Sequence, residues 1–129
     1  MIRIGSSRAT FLIFGWAIKA PFSRCGIEQC RNEKLLWGRQ GGWPLAPIVF
    51  HIGPIIVFRR AAPLDKESEA RFGEIVRLAE EAREELRFEK GDIRRKENWG
   101  MIDGKPALLD YGLTPEIERR YYSEKNTYI

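Results

Sequence analysis

The run WAIKAP, Trp16–Pro21, decides how this 129-residue sequence is read. Its lysine stands among tryptophan, isoleucine and alanine, the side chains of a half-buried strand. An ammonium group in such a place reaches water, loses its charge or meets an anion. Two readings stay open at this point. Lys19 either lies on an edge strand with its head in solvent, or it pairs with a carboxylate such as Glu33.

Outward from this run, ATFLIF precedes it and Gly15 supplies a turn, so residues 2–20 read as two short strands. A loop over 21–26 leads to a helix over 28–37, which ends at the breaker GRQGGWP. PIVFHIG and PIIVFRRA then form a second strand pair that turns at Gly53-Pro54. In the following segment Phe72, Ile75, Val76, Ala79, Ala82 and Leu86 recur at helical spacing. A long helix over 65–88 is therefore expected, with Asp65 as its cap and a solvated face of glutamate and arginine. A loop, EKGDIRRKENWG, separates it from MIDGKPALLDYG, where Asp103-Gly104 has the chemistry of a type I′ hairpin turn. From Pro115 one or two further helical turns are expected. The fold class is α+β: a small antiparallel sheet with a packed helix, then a reduced helical lobe and a hairpin.

Composition narrows the function. At 43% hydrophobic and 31% charged residues the chain is globular, with no repeat or low-complexity segment. The longest apolar stretch, 43–58, is broken by three prolines, His51 and Gly53, so no membrane span is expected. Arg8 interrupts any secretory h-region, which points to the cytoplasm. Cys25, Cys30 and the lone His51 do not make a zinc site; the cysteines read as reduced thiols and His51 as a strand residue. A net charge of +4 suits an acidic partner, a nucleotide or a nucleic acid. The basic clusters IRRKEN and IERRYY carry acidic neighbours, and nucleic-acid binding is not expected from them.

Four separated pieces carry chemistry. GSSR offers Gly5, Ser6 and Ser7, small residues whose backbone amides can approach phosphate oxygens. Lys19 can neutralise phosphate charge, and Glu33 on the first helix can hold that lysine extended. Beyond the long helix, DIRRKEN and LLDYG bring Asp92, Asn98 and Asp110, hard oxygen ligands of the kind magnesium takes.

In this order the pieces resemble the protein-kinase fold, and within it the very small kinase-like proteins of bacteriophages. AIK is similar to the strand motif that carries the phosphate-pairing lysine, and LLDYG to the D-F-G motif. The resemblance covers residues 2–113, with 1–64 as an N-lobe-like sheet and helix. Residues 65–129 would form a strongly reduced C-lobe, with a long helix, a catalytic-loop-like segment and the DYG hairpin. It implies ATP and Mg2+ as cofactors, with Gly5, Ser6, Ser7 and Lys19 around the phosphates and Asn98 and Asp110 on the metal. It also implies Lys19, Glu33 and Asp92 as the catalytic set, Asp92 orienting an acceptor hydroxyl. Departures are plain. The three-glycine loop is absent, Ile93 occupies the usual place of the base aspartate, and no A-P-E follows DYG. Phosphoryl transfer is therefore expected to be weak or absent, as in a pseudokinase. The alternative is a non-catalytic phage inhibitor of a host complex, such as a CRISPR-type defence system. A nucleic-acid-binding accessory protein is a weaker alternative. In the first two readings the place of action is the bacterial host cell.

Overall fold

Strand formers cluster on either side of three tight turns, and each turn closes a hairpin. The computed structural model describes residues 2–40, 42–82 and 93–112, with Ile117 and Arg119. Its first sheet contains β1 (Ile2–Ile4), β2 (Arg8–Ile13), β3 (Trp16–Pro21), β4 (Ile48–Ile52) and β5 (Ile55–Arg59), all antiparallel, in the order β1-β2-β3-β5-β4. Residues 2–20 thus hold three strands rather than two. The small polar run Gly5 to Ser7 breaks the first segment, and the Gly5 N–H closes the turn onto the Arg8 carbonyl at 2.9 Å. WAIKAP is the middle strand, so the edge-strand reading of Lys19 falls.

Helix α1 (Arg24–Gln40) follows β3 directly and is longer at both ends than the expected 28–37. Ser23 starts it: its Oγ accepts the Gly26 N–H at 3.1 Å, and its carbonyl accepts the Ile27 N–H. Gly26 lies against the β1–β2 turn, where a Cβ would sit 2.2 Å from the Ser7 carbonyl oxygen. Only glycine allows that approach.

The expected long helix is two, α2 (Lys66–Ala70) and α3 (Phe72–Ala82). Asp65 caps α2 as read, accepting the Ser68 N–H at 2.7 Å. Between the helices the Arg71 N–H is shared by the Glu67 and Ser68 carbonyls, a tightened turn beside the weak helix former Gly73. Ile75, Val76 and Ala79 are buried. Residues 83–92, with Leu86 and Asp92 among them, lie outside the described residues, as does most of the segment from Pro115.

A 3-10 turn, Lys96–Asn98, leads into β6 (Trp99–Ile102) and β7 (Lys105–Leu108). Asp103 and Gly104 join them at φ of 52° and 78°, the left-handed pair a type I′ turn demands. This hairpin is tied to the loop before β4. The Ala46 N–H bonds the Leu108 carbonyl, and the Leu108 N–H bonds that of Pro44. The core lies between the first sheet, α1 and this hairpin. Phe58, Ile56, Leu108 and Tyr111 are almost fully buried, each worth about 1.5–3 kcal/mol of removed apolar surface. Trp99 packs edge-on against Phe72 in the same core. Among the described residues no helix is long and apolar enough to cross a membrane.

Candidate functional site

Strand alternation places Arg8, Thr10, Lys19, Ile56 and Phe58 on one face of the sheet. This inner face meets α1 and the segment after β7. Lys19 is buried, and its ammonium group donates to Glu33 Oε2 at 3.0 Å and to the Leu109 carbonyl at 2.6 Å. It also lies 4.5 Å from the centre of the Phe58 ring. The pairing expected between Lys19 and Glu33 is present.

Glu33 is fully buried and also binds Arg8, through Arg8 Nη1 to Oε1 and Nη2 to Oε2 at 3.4 Å. Its third donor is the Tyr111 N–H, at 3.1 Å from Oε2. The Arg8 guanidinium continues to Asp110 Oδ1 at 2.9 Å. Two cations and two carboxylates thus form one connected, charge-balanced quartet. Desolvation works against the charge on Arg8, but Glu33 and Asp110 outweigh it and raise its pKa. For Asp110 desolvation again opposes ionisation. Lys19 and Arg8 overcome it, helped by the Gly112 N–H, and hold the carboxyl below the usual carboxylate range.

Chain geometry beyond β7 fixes Asp110. The Leu109 N–H bonds the Asn98 carbonyl at 2.7 Å. The Tyr111 hydroxyl donates to the Ala46 carbonyl at 2.9 Å, and its pKa is raised by burial. Gly112 passes so close to α1 that a Cβ would stand 2.3 Å from the Gln29 carbonyl oxygen. Asn32 Nδ2 donates to the Gly112 carbonyl there, at 3.3 Å.

In front of the quartet is a cleft of about 750 Å3. Gly5, Ser6, Ser7, Lys19, Asn98 and Asp110 all line it. Six of the eight residues expected from the sequence therefore share one cavity, Glu33 stands behind Lys19, and Asp92 lies outside the described residues. The Ser7 hydroxyl donates to Gln29 Oε1 at 2.8 Å, and the Gly5 amide is used in its own turn. Arg8 is the functional residue that sequence reasoning missed. Its signal was a second basic residue at the start of an apolar strand, uninformative until the pairing of Thr10 with Lys19 puts it on the lysine's face.

Cys30 borders the quartet, with its Sγ 3.5 Å from Arg8 Nη1; burial pushes this thiol up. Cys25 and Cys30 are both free thiols, as expected. Among the described residues no group of three histidine, cysteine, aspartate or glutamate side chains is placed to hold a metal. Comparison with protein-family models, curated proteins and solved structures returned no match to this chain.

Proposed function

We propose that the protein is a miniature kinase-like protein of phage type that holds a nucleotide in the cleft and transfers phosphate weakly or not at all. The observation that carries this reading is the buried Lys19–Glu33 pair at 3.0 Å, opening on the cavity that Asn98 and Asp110 line. A volume of about 750 Å3 is ample for a nucleotide. Ala17, Ala46, Phe58 and Leu109 give it apolar walls, while Arg3 and Arg95 add positive charge.

Magnesium fits this arrangement poorly. The carboxylate that would take it, Asp110, already has one oxygen on Arg8 at 2.9 Å, and the guanidinium supplies the charge a cation would bring. No step is derived through a metal. The residues support binding and orientation: Lys19 is held extended toward the cleft, and Asp110 is fixed by Arg8.

The test is the thermal midpoint with ATP, in magnesium and in chelator, for the parent, Lys19→Ala and Asn98→Ala. A specific ligand raises the midpoint as it saturates, by about 2.7 kcal/mol of added stability at a hundredfold excess over Kd. The parent is expected to gain, in chelator as in magnesium, and both variants to lose most of the gain. A parent midpoint unmoved by saturating nucleotide would sink the reading and favour the non-catalytic inhibitor of a host complex.

A further inference from the structure

Five cationic side chains line the cleft: Arg3, Arg8, Lys19, Arg59 and Arg95. Four of them are matched. Glu33 and Asp110 balance Arg8 and Lys19 within the quartet. Asp103 holds the Arg59 guanidinium through both oxygens, at 2.6 and 2.8 Å, and Glu97 Oε1 accepts from Arg95 Nε at 2.9 Å. Among the described residues no acceptor reaches the Arg3 guanidinium. A cation left over in a concave site draws an anion.

Strand register says where that anion lies. Arg3, Thr10 and Lys19 are direct partners on β1, β2 and β3, so they form one row across the inner face of the sheet. The backbones at the two ends of the row are two strand spacings apart, roughly 10 Å. Between the two cations the Thr10 hydroxyl has no hydrogen-bond partner among the described residues, which leaves its proton for a ligand. The carboxylates that line the cleft, Glu97 and Asp110, stand on either side of the β6–β7 hairpin and not on the sheet. A polyanion is therefore turned toward the row, while Ala17, Ala46 and Phe58 offer apolar surface to the rest of the ligand.

We infer that Arg3 and Thr10 seat the terminal phosphate of a nucleoside polyphosphate, so that the cleft selects triphosphates over monophosphates by the length of the phosphate chain. The nucleoside half of this rests on the nucleotide reading of the cleft; the phosphate half rests on the row itself. A first phosphate beside Lys19 leaves the chain to run over Thr10, and a monophosphate stops short of Arg3. The guanidinium fork meets phosphate oxygens in pairs, which an ammonium group does not do.

Affinities read from the midpoint rise in chelator test this, for ATP, AMP and inorganic tripolyphosphate, with the parent, Arg3→Gln, Arg3→Lys and Thr10→Val. ATP is expected to bind the parent about tenfold or more tightly than AMP, the effect of one charge-assisted contact. Arg3→Gln should weaken ATP and tripolyphosphate by about tenfold and leave AMP unchanged, and Arg3→Lys should regain part of the loss. Thr10→Val should weaken ATP by about threefold. Arg3 is exposed, so its variants should keep the parent's circular dichroism. A parent that binds ATP and AMP equally overturns the inference, as does an Arg3→Gln variant that weakens both alike or neither; in each case the nucleotide reading stands. A parent that ignores both nucleotides defeats that reading instead. An Arg3-dependent rise with tripolyphosphate then keeps the phosphate seat, and no rise ends both.

Discussion

Glu33 receives three donors at once: the Arg8 guanidinium, the Lys19 ammonium and the Tyr111 amide. Glu33→Gln keeps the volume and leaves two buried cations without their shared anion. Removing one partner of a buried ion pair typically costs about 3–5 kcal/mol, and a loss of that size is expected in urea unfolding. Lys19→Met should cost less, because Arg8 still satisfies Glu33; equal losses would mean that Arg8 contributes nothing. Asp110 gives a pH signature. Its folded pKa lies below the unfolded one, so its contribution is complete above the ordinary carboxylate range and disappears as pH falls through the folded value. Asp110→Asn should therefore be less stable at neutral pH and lose less on acidification below about pH 5. Parallel stability curves for parent and variant would refute this. Lys19, Glu33 and Asp110 were legible because each sits in a short run whose neighbours betray its setting. Arg8 was not, since only strand register brings it to them, and register is a property of pairs of strands.

Elements follow the same division between local and non-local causes. Gly15, Gly53-Pro54 and Asp103-Gly104 announce their turns through backbone chemistry alone, and all three hairpins form where the sequence places them. Strand β1 escaped notice because three residues carry too little pattern, and the break at Arg71 because the apolar spacing runs straight through it. Two glycines near or in α1 make opposite predictions. At Gly112 a Cβ would meet the Gln29 carbonyl at 2.3 Å and Glu33 Cγ at 2.9 Å, so α1 and the Asp110 segment must separate. Gly112→Ala should cost about 1–3 kcal/mol by overpacking and weaken any nucleotide-dependent rise in midpoint. Gly38, inside α1, has nothing within 4 Å of a Cβ. Gly38→Ala should stabilise by about 0.5–1 kcal/mol through helix propensity and leave that rise intact. Equal effects would show that the close approach of Gly112 does not matter.

For the whole molecule, alternation along five strands separates two chemistries that share one backbone. Arg3, Arg8, Thr10 and Lys19 of β1, β2 and β3 line the cleft together with the apolar Leu12 and Ala17, while Ile2, Phe11 and Ile18 turn to the opposite surface. The sequence shows runs such as TFLIF and IIVF as strands, yet it cannot say which face meets α1, because that depends on where α1 packs. Once α1 is placed, the two faces should respond independently. Lys19 reports on the cleft; the exposed Ile52, on edge strand β4, reports on the opposite face. Ile52→Lys is therefore expected to leave the midpoint rise with saturating nucleotide within error of the parent's. Lys19→Ala should do the reverse and remove the nucleotide response. If Ile52→Lys also removes the nucleotide response, the sheet transmits between its faces and its two sides are one site.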